Sequence, residues 1–282
     1  MPRLFLFGIG YTGMALAKAL VADGWEVSGT CRTEDRRVAL AELGIHAHLF
    51  DRDHPMAPEA IEGASHILNS VPPDDFGDPV LDAMAAHIAA ANPEWVGYLS
   101  TTGVYGDRGG DWVDESSDLT PTNERSMRRV RAEGTWFVLW REGSVPVHIF
   151  RLAGIYGPGR SPLDALRAGS AQRIDKPGHV FSRIHVDDLV TVLRASMANP
   201  RPGSVYNVCD DESASPVDVT AYGAQLLGID PPPLVPFGEA QMSDMARSFY
   251  RDNKRVRNGK IKSDLGVVLK YPDYRAGLKS LV

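Results

Sequence analysis

The sequence predicts an α/β fold: a Rossmann-like doubly wound parallel sheet with a smaller, discontinuous C-terminal lobe. Three observations predict it. Short apolar runs alternate with amphipathic stretches through the first half of the chain. Glycines spaced GxGxxG follow the first of these runs. After residue 151 the alternation loosens into prolines, turns and short segments.

The strand candidates are RLFLF (3–7), EVSGTC (26–31), AHLF (47–50), HILNS (66–70), VGYLS (96–100) and VHIFR (147–151). Helices are expected near 11–23, 34–43, 79–91 and 124–141. Apolar strands that alternate with helices build βαβ units, with a parallel sheet covered on both faces and right-handed crossovers. Further on, GIYGPGRSP reads as turn chemistry and VFSRIHV (180–186) as a strand. DDLVTVLRASM (187–197) reads as a helix capped by its leading aspartates, and SVYNVCD (204–210) as a strand returning to the sheet. This divides the chain into a cofactor domain, 1–156 with 185–210, and a substrate lobe, 157–184 with 211–282.

Composition narrows the function classes. The chain has 282 residues, 43% hydrophobic and 23% charged, which is ordinary for a soluble globular protein. A net charge of −6 gives no reason to expect a nucleic-acid or membrane partner. Cys31 and Cys209 cannot make a disulfide framework, so a reducing compartment is expected. The opening apolar run is too short to span a bilayer. A cytoplasmic protein with a small-molecule substrate is the expectation. Between Arg247 and the C-terminus there are ten Lys or Arg against three Asp. That reads as a solvated face or as a positive field for an anionic substrate.

In FGIGYTGMALAKAL, Gly8, Gly10 and Gly13 follow a strand and open a helix. One glycine makes the tight turn, the next lets backbone amides approach a diphosphate, and the third lets helix and strand pack closely. Tyr11 and Thr12 sit between them. Ser70 and Ser100, at the ends of the fourth and fifth strands, join the expected cofactor set. The second strand ends in Thr30–Cys31–Arg32 where an NAD site usually carries an acid. A guanidinium there suits a 2′-phosphate, so NADP is predicted, with NAD as the alternative. Asp51 is a candidate acceptor for the adenine amino group, or a loop cap.

STTGVYGDRGGDWVDE, an arginine-rich helix, FRLAGIYGPGRS, RIHVDDL and YNVCDDE follow one another in this order. With the glycine loop and RAGL (275–278), they resemble the extended short-chain dehydrogenase/reductases, the NAD(P)-dependent epimerase/dehydratase group. The resemblance implies a cofactor domain, a substrate lobe and hydride transfer assisted by a Ser or Thr, a Tyr and a Lys. It also implies substrates that are often nucleotide-sugars, and family members often dimerise, which leaves a homodimer open.

On this resemblance Thr101 takes the hydroxyl position, either binding a substrate oxygen or ending a strand. The YxxxK motif, counted back from Glu133, falls on Arg125 and Arg129, and no tyrosine lies between 106 and 155. Positions i and i+4 share a helix face. Arginine stays protonated, so it orients and stabilises charge but shuttles protons poorly near neutral pH. The same helix places Met127, Val130, Gly134 and Phe137 on an apolar stripe. Tyr156 is either a relocated proton donor or a packed turn residue, and His185 either handles protons or is a structural strand histidine. The family's pyrophosphate-reading arginine falls on Phe181, with Arg183 two residues on and on the same strand face. The expected function is an atypical NADP-linked oxidoreductase or epimerase acting on a carbonyl, hydroxyl or sugar-like substrate. The alternative is a non-catalytic NADP(H) sensor.

Overall fold

The computed structural model describes all residues, 1–282. In chain order the elements are β1 (Arg3–Phe7), α1 (Tyr11–Ala22), β2 (Glu26–Cys31), α2 (Glu34–Ala41), β3 (His46–Leu49), β4 (His66–Asn69), α3 (Pro79–Ala90), β5 (Trp95–Thr101), β6 (Trp112–Val113) and α4 (Glu124–Gly143). There follow β7 (Val147–Leu152), β8 (Gly154–Tyr156), α5 (Pro162–Arg167), β9 (Arg173–Asp175), β10 (Arg183–His185), α6 (Val186–Ala198), β11 (Val205–Val208) and α7 (Pro216–Leu227). The chain ends with β12 (Leu234–Pro236), α8 (Asp244–Phe249), β13 (Arg255–Val256), α9 (Gly259–Leu265) and α10 (Tyr274–Lys279).

Seven strands form one sheet in the order β11-β7-β5-β4-β1-β2-β3. The pairs β1–β2, β2–β3, β1–β4 and β4–β5 are parallel. The strand order reverses between β1 and β4. In such sheets the crevice at the carboxyl ends of those two strands is where ligands bind. The strands here are nearly continuous apolar runs because both sheet faces are covered. Gly29 in β2 is dictated by this packing: a Cβ there would lie 2.3 Å from the Leu6 carbonyl oxygen.

The chain divides into two compact units. The first comprises Met1–Thr101, Glu124–Arg151 and Leu193–Tyr206. Its core includes Phe5, Phe7, Ile67, Met84, Tyr98, Trp136 and Ile149, all buried. The second comprises Thr102–Asn123, Leu152–Val192 and Asn207–Val282. It is held by two apolar clusters, one around Tyr156, Leu163, Val219 and Leu278 and one around Ile174, Phe237 and Tyr250. It also contains three two-stranded parallel pairs, β8–β10, β9–β12 and β6–β13.

Several sequence expectations need correction. Strand pairing in the 180–186 segment is confined to Arg183–His185, and Phe181 instead makes an isolated bridge to Ala214. The segment read as pure turn, Gly154–Tyr156, is the short strand β8. Asp188 does not cap the following helix. Its carboxylate accepts the amides of Lys270 (2.8 Å) and Tyr271 (2.9 Å), which fastens the C-terminal segment within the second unit. The buried stripe of α4 is Ser126, Ala132, Glu133 and Trp136, one position away from the apolar stripe read in the sequence. The helix turns a carboxylate inward, and an apolar pattern cannot register that.

Candidate active site

β1 ends at Gly8, whose φ of +81° is the left-handed backbone that glycine adopts without strain. Three bonds fix the turn. The Gly8 amide donates to Thr30 Oγ1 (2.8 Å), the Ile9 amide donates to the Thr30 carbonyl (2.8 Å), and Ser70 Oγ donates to the Gly8 carbonyl (2.5 Å). A side chain at Gly8 would meet Val71 Cγ2 at 3.1 Å and Ser70 Oγ at 3.2 Å, and one at Gly13 would meet the Gly8 carbonyl oxygen at 3.3 Å. α1 then starts with Gly10 as its cap, with no side-chain cap bond and no acidic residue in its first turn. First-turn amides have no acceptor within their own helix, and the helix dipole adds positive potential there. A glycine-lined turn that opens a helix at the switch point fits a dinucleotide diphosphate.

β2 delivers Arg32, and Thr33 caps α2 by accepting the Arg36 amide (3.4 Å). Arg37 is paired with Glu34, whose carboxyl it holds below its usual range. The guanidinium groups of Arg32 and Arg36 are exposed and make no hydrogen bond or ion pair. Asp51 ties its own loop, accepting the amides of Asp53 and His54 (both 2.9 Å) and His54 Nδ1 (2.8 Å).

At the end of β5, Ser100 is buried and donates to Glu133 Oε1 of α4 (2.5 Å). Glu133 in turn pairs with Arg151 of β7, with Nη2 2.8 Å from Oε2, and the two side chains are 2% and 5% exposed. Thr101, the last residue of β5, is half-buried. Arg129 turns inward from α4, donating Nη1 to the Leu99 carbonyl (2.6 Å) and to Tyr98 Oη (3.1 Å). Arg125, one turn earlier, is exposed. Behind them Tyr98 stacks on Trp136, whose Nε1 donates to Asp78 (2.9 Å). Burial pushes up both the Asp78 carboxyl and the Tyr98 phenol, whereas the Arg129 guanidinium pulls both down.

The second unit holds the other candidates. Tyr156 is buried with its ring edge-on to His185 at 5.2 Å, and its hydroxyl has no partner. α10 lies against it, since a Cβ on Gly277 would stand 1.9 Å from Tyr156 Oη. His185 Nδ1 accepts the Asp187 amide (3.2 Å), and Tyr271 packs 4.2 Å from the ring. Burial lowers the His185 pKa, with Asp187 and Asp188 opposing. Arg183 donates to the carbonyls of Phe181 (2.8 Å) and Ala214 (3.0 Å) and lies over the Phe181 ring at 5.8 Å. Beside it Asp210, 3% exposed, is pushed up to about 8 by burial, with the Arg183 guanidinium pulling the other way. Much of the basic tail is engaged internally. Lys254 donates to the Gly106 carbonyl (2.8 Å), while Lys262 pairs with Asp211 (2.5 Å) and Arg275 with Glu212 (2.6 Å).

The structure thus brings Gly8, Gly10, Tyr11, Thr12, Gly13 and Ser70 together at the switch point, with Ser100, Thr101 and Arg129 at the end of β5 in the same unit. Tyr156 and His185 are neighbours in the second unit. Sequence reasoning missed Asp78, Asp188 and Asp210 as buried carboxylates and used Glu133 only as a counting mark. The one available signal for Glu133 was an acid on a helix rich in arginine.

No family model matches the chain. Protein YeeZ of Escherichia coli (strain K12) is 28% identical over 286 residues, 97% of each chain. The human dTDP-D-glucose 4,6-dehydratase is 28% identical over 160 residues, 54% of this chain and 45% of that protein. Among solved structures, a functionally unknown conserved protein from Silicibacter pomeroyi DSS is 51% identical, with a TM-score of 0.90 over 100% of this chain and 98% of that one. MoeE5 in complex with UDP-glucose and NAD has the same fold, with a TM-score of 0.81 over 99% and 97% of the chains at 20% identity. Sheet order and glycine turn define a Rossmann-type dinucleotide fold. In fold and in the order of its motifs the chain is similar to the extended short-chain dehydrogenase/reductases, the NAD-dependent epimerase/dehydratase group. No helix is long and apolar enough to cross a membrane.

Proposed function

We propose that this protein is an NADP-linked oxidoreductase or epimerase acting on a carbonyl or hydroxyl of a small, sugar-like molecule, with arginine where the family places its Tyr–Lys relay. The observation that carries it is the glycine turn, pinned by Thr30 and Ser70 at the sheet's switch point. The nicotinamide would supply or accept hydride. The first-turn amides of α1 would hold the diphosphate, and the unpaired guanidiniums of Arg32 and Arg36 the 2′-phosphate. Thr101 would hydrogen-bond the substrate oxygen. Arg129, at the end of β5, would place fixed positive charge where negative charge develops on that oxygen, which is electrostatic help without proton transfer. The reactive atoms of Tyr156 and His185 are covered, so we assign proton exchange to water. The relatives named for sugar-nucleotide substrates support the substrate class, whereas Phe181 at the pyrophosphate-reading position argues against a diphosphate on the substrate.

A second reading, a non-catalytic NADP(H) sensor, is favoured by one observation: Arg129 is bound to a main-chain carbonyl and Arg125 is exposed. Calorimetry with NADPH, then turnover with a panel of carbonyl and sugar substrates, separates the two. Tight binding without turnover selects the sensor, and no binding removes both. Arg32→Glu is expected to weaken NADPH binding at least about tenfold while sparing NADH, the size of one charge-assisted hydrogen bond; equal NADPH affinities for Arg32→Glu and the parent would remove Arg32 from the phosphate site. Arg129→Ala is expected to lower kcat about tenfold with little change in NADPH affinity. An unchanged kcat would reduce Arg129 to a brace for β5.

A further inference from the structure

The loop that follows β4 is tied down along most of its length. Asp74 accepts Arg52 Nε (2.6 Å) and Nη2 (2.8 Å) and the amides of Phe76 (2.9 Å) and Gly77 (3.2 Å), while its own amide donates to the Gly77 carbonyl (2.9 Å). Arg52 Nη1 reaches on to Asp82 of α3 (2.8 Å). Asp75 is paired with Arg128 of α4. Asp78 accepts the amides of Val80 and Leu81 at the start of α3. Yet the tip of this rigid loop is a phenylalanine. Phe76 is 83% exposed, and the Arg52 guanidinium stands 5.7 Å from its ring centre.

Leaving a phenyl ring in water forgoes the free energy of burying it. A slack loop would let the ring fold back onto the surface, but this one holds it out. Topology says over what. In the order β4-β1-β2-β3, the loops leaving β4 and β3 lie on either side of β1 and β2. The Arg52–Asp74 pair joins those two loops, so it bridges the carboxyl ends of the strands that carry the glycine turn and Arg32. That is the end of the crevice where the adenosine half of a dinucleotide lies when its diphosphate sits on α1.

We propose that Phe76 is the adenine platform of this protein: its ring stacks on the base, and Arg52, fixed by Asp74 and Asp82, backs it. Aromatic rings hold bases by stacking, and a planar guanidinium lies well against such rings. This inference rests on the NADP reading above. The test is calorimetry with NADP+, adenosine 2′,5′-bisphosphate and nicotinamide mononucleotide on the full chain and on Phe76→Ala and Phe76→Tyr. Phe76→Ala is expected to weaken the first two about tenfold and leave nicotinamide mononucleotide unchanged, with Phe76→Tyr close to the parent. Unchanged NADP+ affinity in Phe76→Ala overturns the platform. So does an equal loss for all three ligands, or an unchanged affinity accompanied by a changed oligomeric state, which would make Phe76 a contact between copies. If the parent binds none of the three, the cofactor reading itself falls, an outcome distinct from those. The ring is exposed, so the substitutions should leave the fold intact, and matching circular dichroism spectra check that.

Discussion

Glu133→Ala is expected to destabilise the first unit by about 3–5 kcal/mol, because removing one partner of a buried ion pair leaves the other charge uncompensated. Glu133 and Arg151 are 2% and 5% exposed, and Glu133 also accepts the Ser100 hydroxyl at 2.5 Å. Alanine would remove the carboxylate that faces both a buried guanidinium and a buried hydroxyl. Glu133→Gln should cost less, since an amide oxygen still accepts from Ser100. A double replacement, Glu133→Leu with Arg151→Met, should recover most of the loss, because two apolar groups of similar size carry no desolvation penalty. Urea unfolding followed by both fluorescence and circular dichroism gives the comparison. A single Glu133→Ala variant within about 1 kcal/mol of the parent would mean that water reaches Arg151 and that the pair is not a buried one.

That network shows where sequence reasoning runs out. The glycine turn was readable because its signal is local: three glycines, a strand before and a helix after, all within a dozen residues. The strands of the sheet were readable because a sheet covered on both faces demands unbroken apolar runs. The inward face of α4 was not. Apolar periodicity finds a stripe only when the buried residues are apolar, and here that stripe carries Ser126 and Glu133. Their partners lie far away in sequence, 33 residues between Ser100 and Glu133 and 18 between Glu133 and Arg151. The same holds for Asp188, which looks like a helix cap because it opens α6. It binds amides 82 and 83 residues later instead. The exposed Arg125 and inward Arg129 differ for a simple geometric reason. Arg129, one turn further along α4, reaches the Leu99 carbonyl near the end of β5, whereas Arg125 at the helix start is exposed. Sequence spacing placed both on one face but could not say where the strand ends.

Asp210→Asn is expected to give a protein that is more stable than the parent in mild alkali, by an amount that depends on pH in a defined way. The parent carboxyl is pushed up to about 8 by burial, against about 3.9 in an unfolded chain. A raised carboxyl pKa means that the folded state binds the proton more tightly than the unfolded state. The folded protein therefore has this group's full contribution below pH 4. It loses that contribution as the pH rises from 4 to 8, and above 8 the loss is complete. The slope is at most about 1.4 kcal/mol per pH unit, so the whole effect has an upper bound of about 6 kcal/mol, reduced to the extent that Arg183 relaxes toward the carboxylate. Asparagine does not titrate, and the two proteins share every other ionisable group, so the difference between them isolates Asp210. It should be small at pH 4.5, grow through pH 6 and 7, and level off beyond 8. Oδ2 of Asp210 has no partner, and only its Oδ1 accepts a bond, from the Glu212 amide at 3.3 Å. An amide can keep that bond with its oxygen while placing its nitrogen in the unpartnered position, where the ionised group would leave a bare charge. Urea midpoints for both proteins across that range settle the matter. A difference that is constant with pH would show that Asp210 is ionised throughout and that Arg183 neutralises it as a true ion pair. A difference that grows toward acid would reverse the assignment and make Asp210 a stabilising carboxylate.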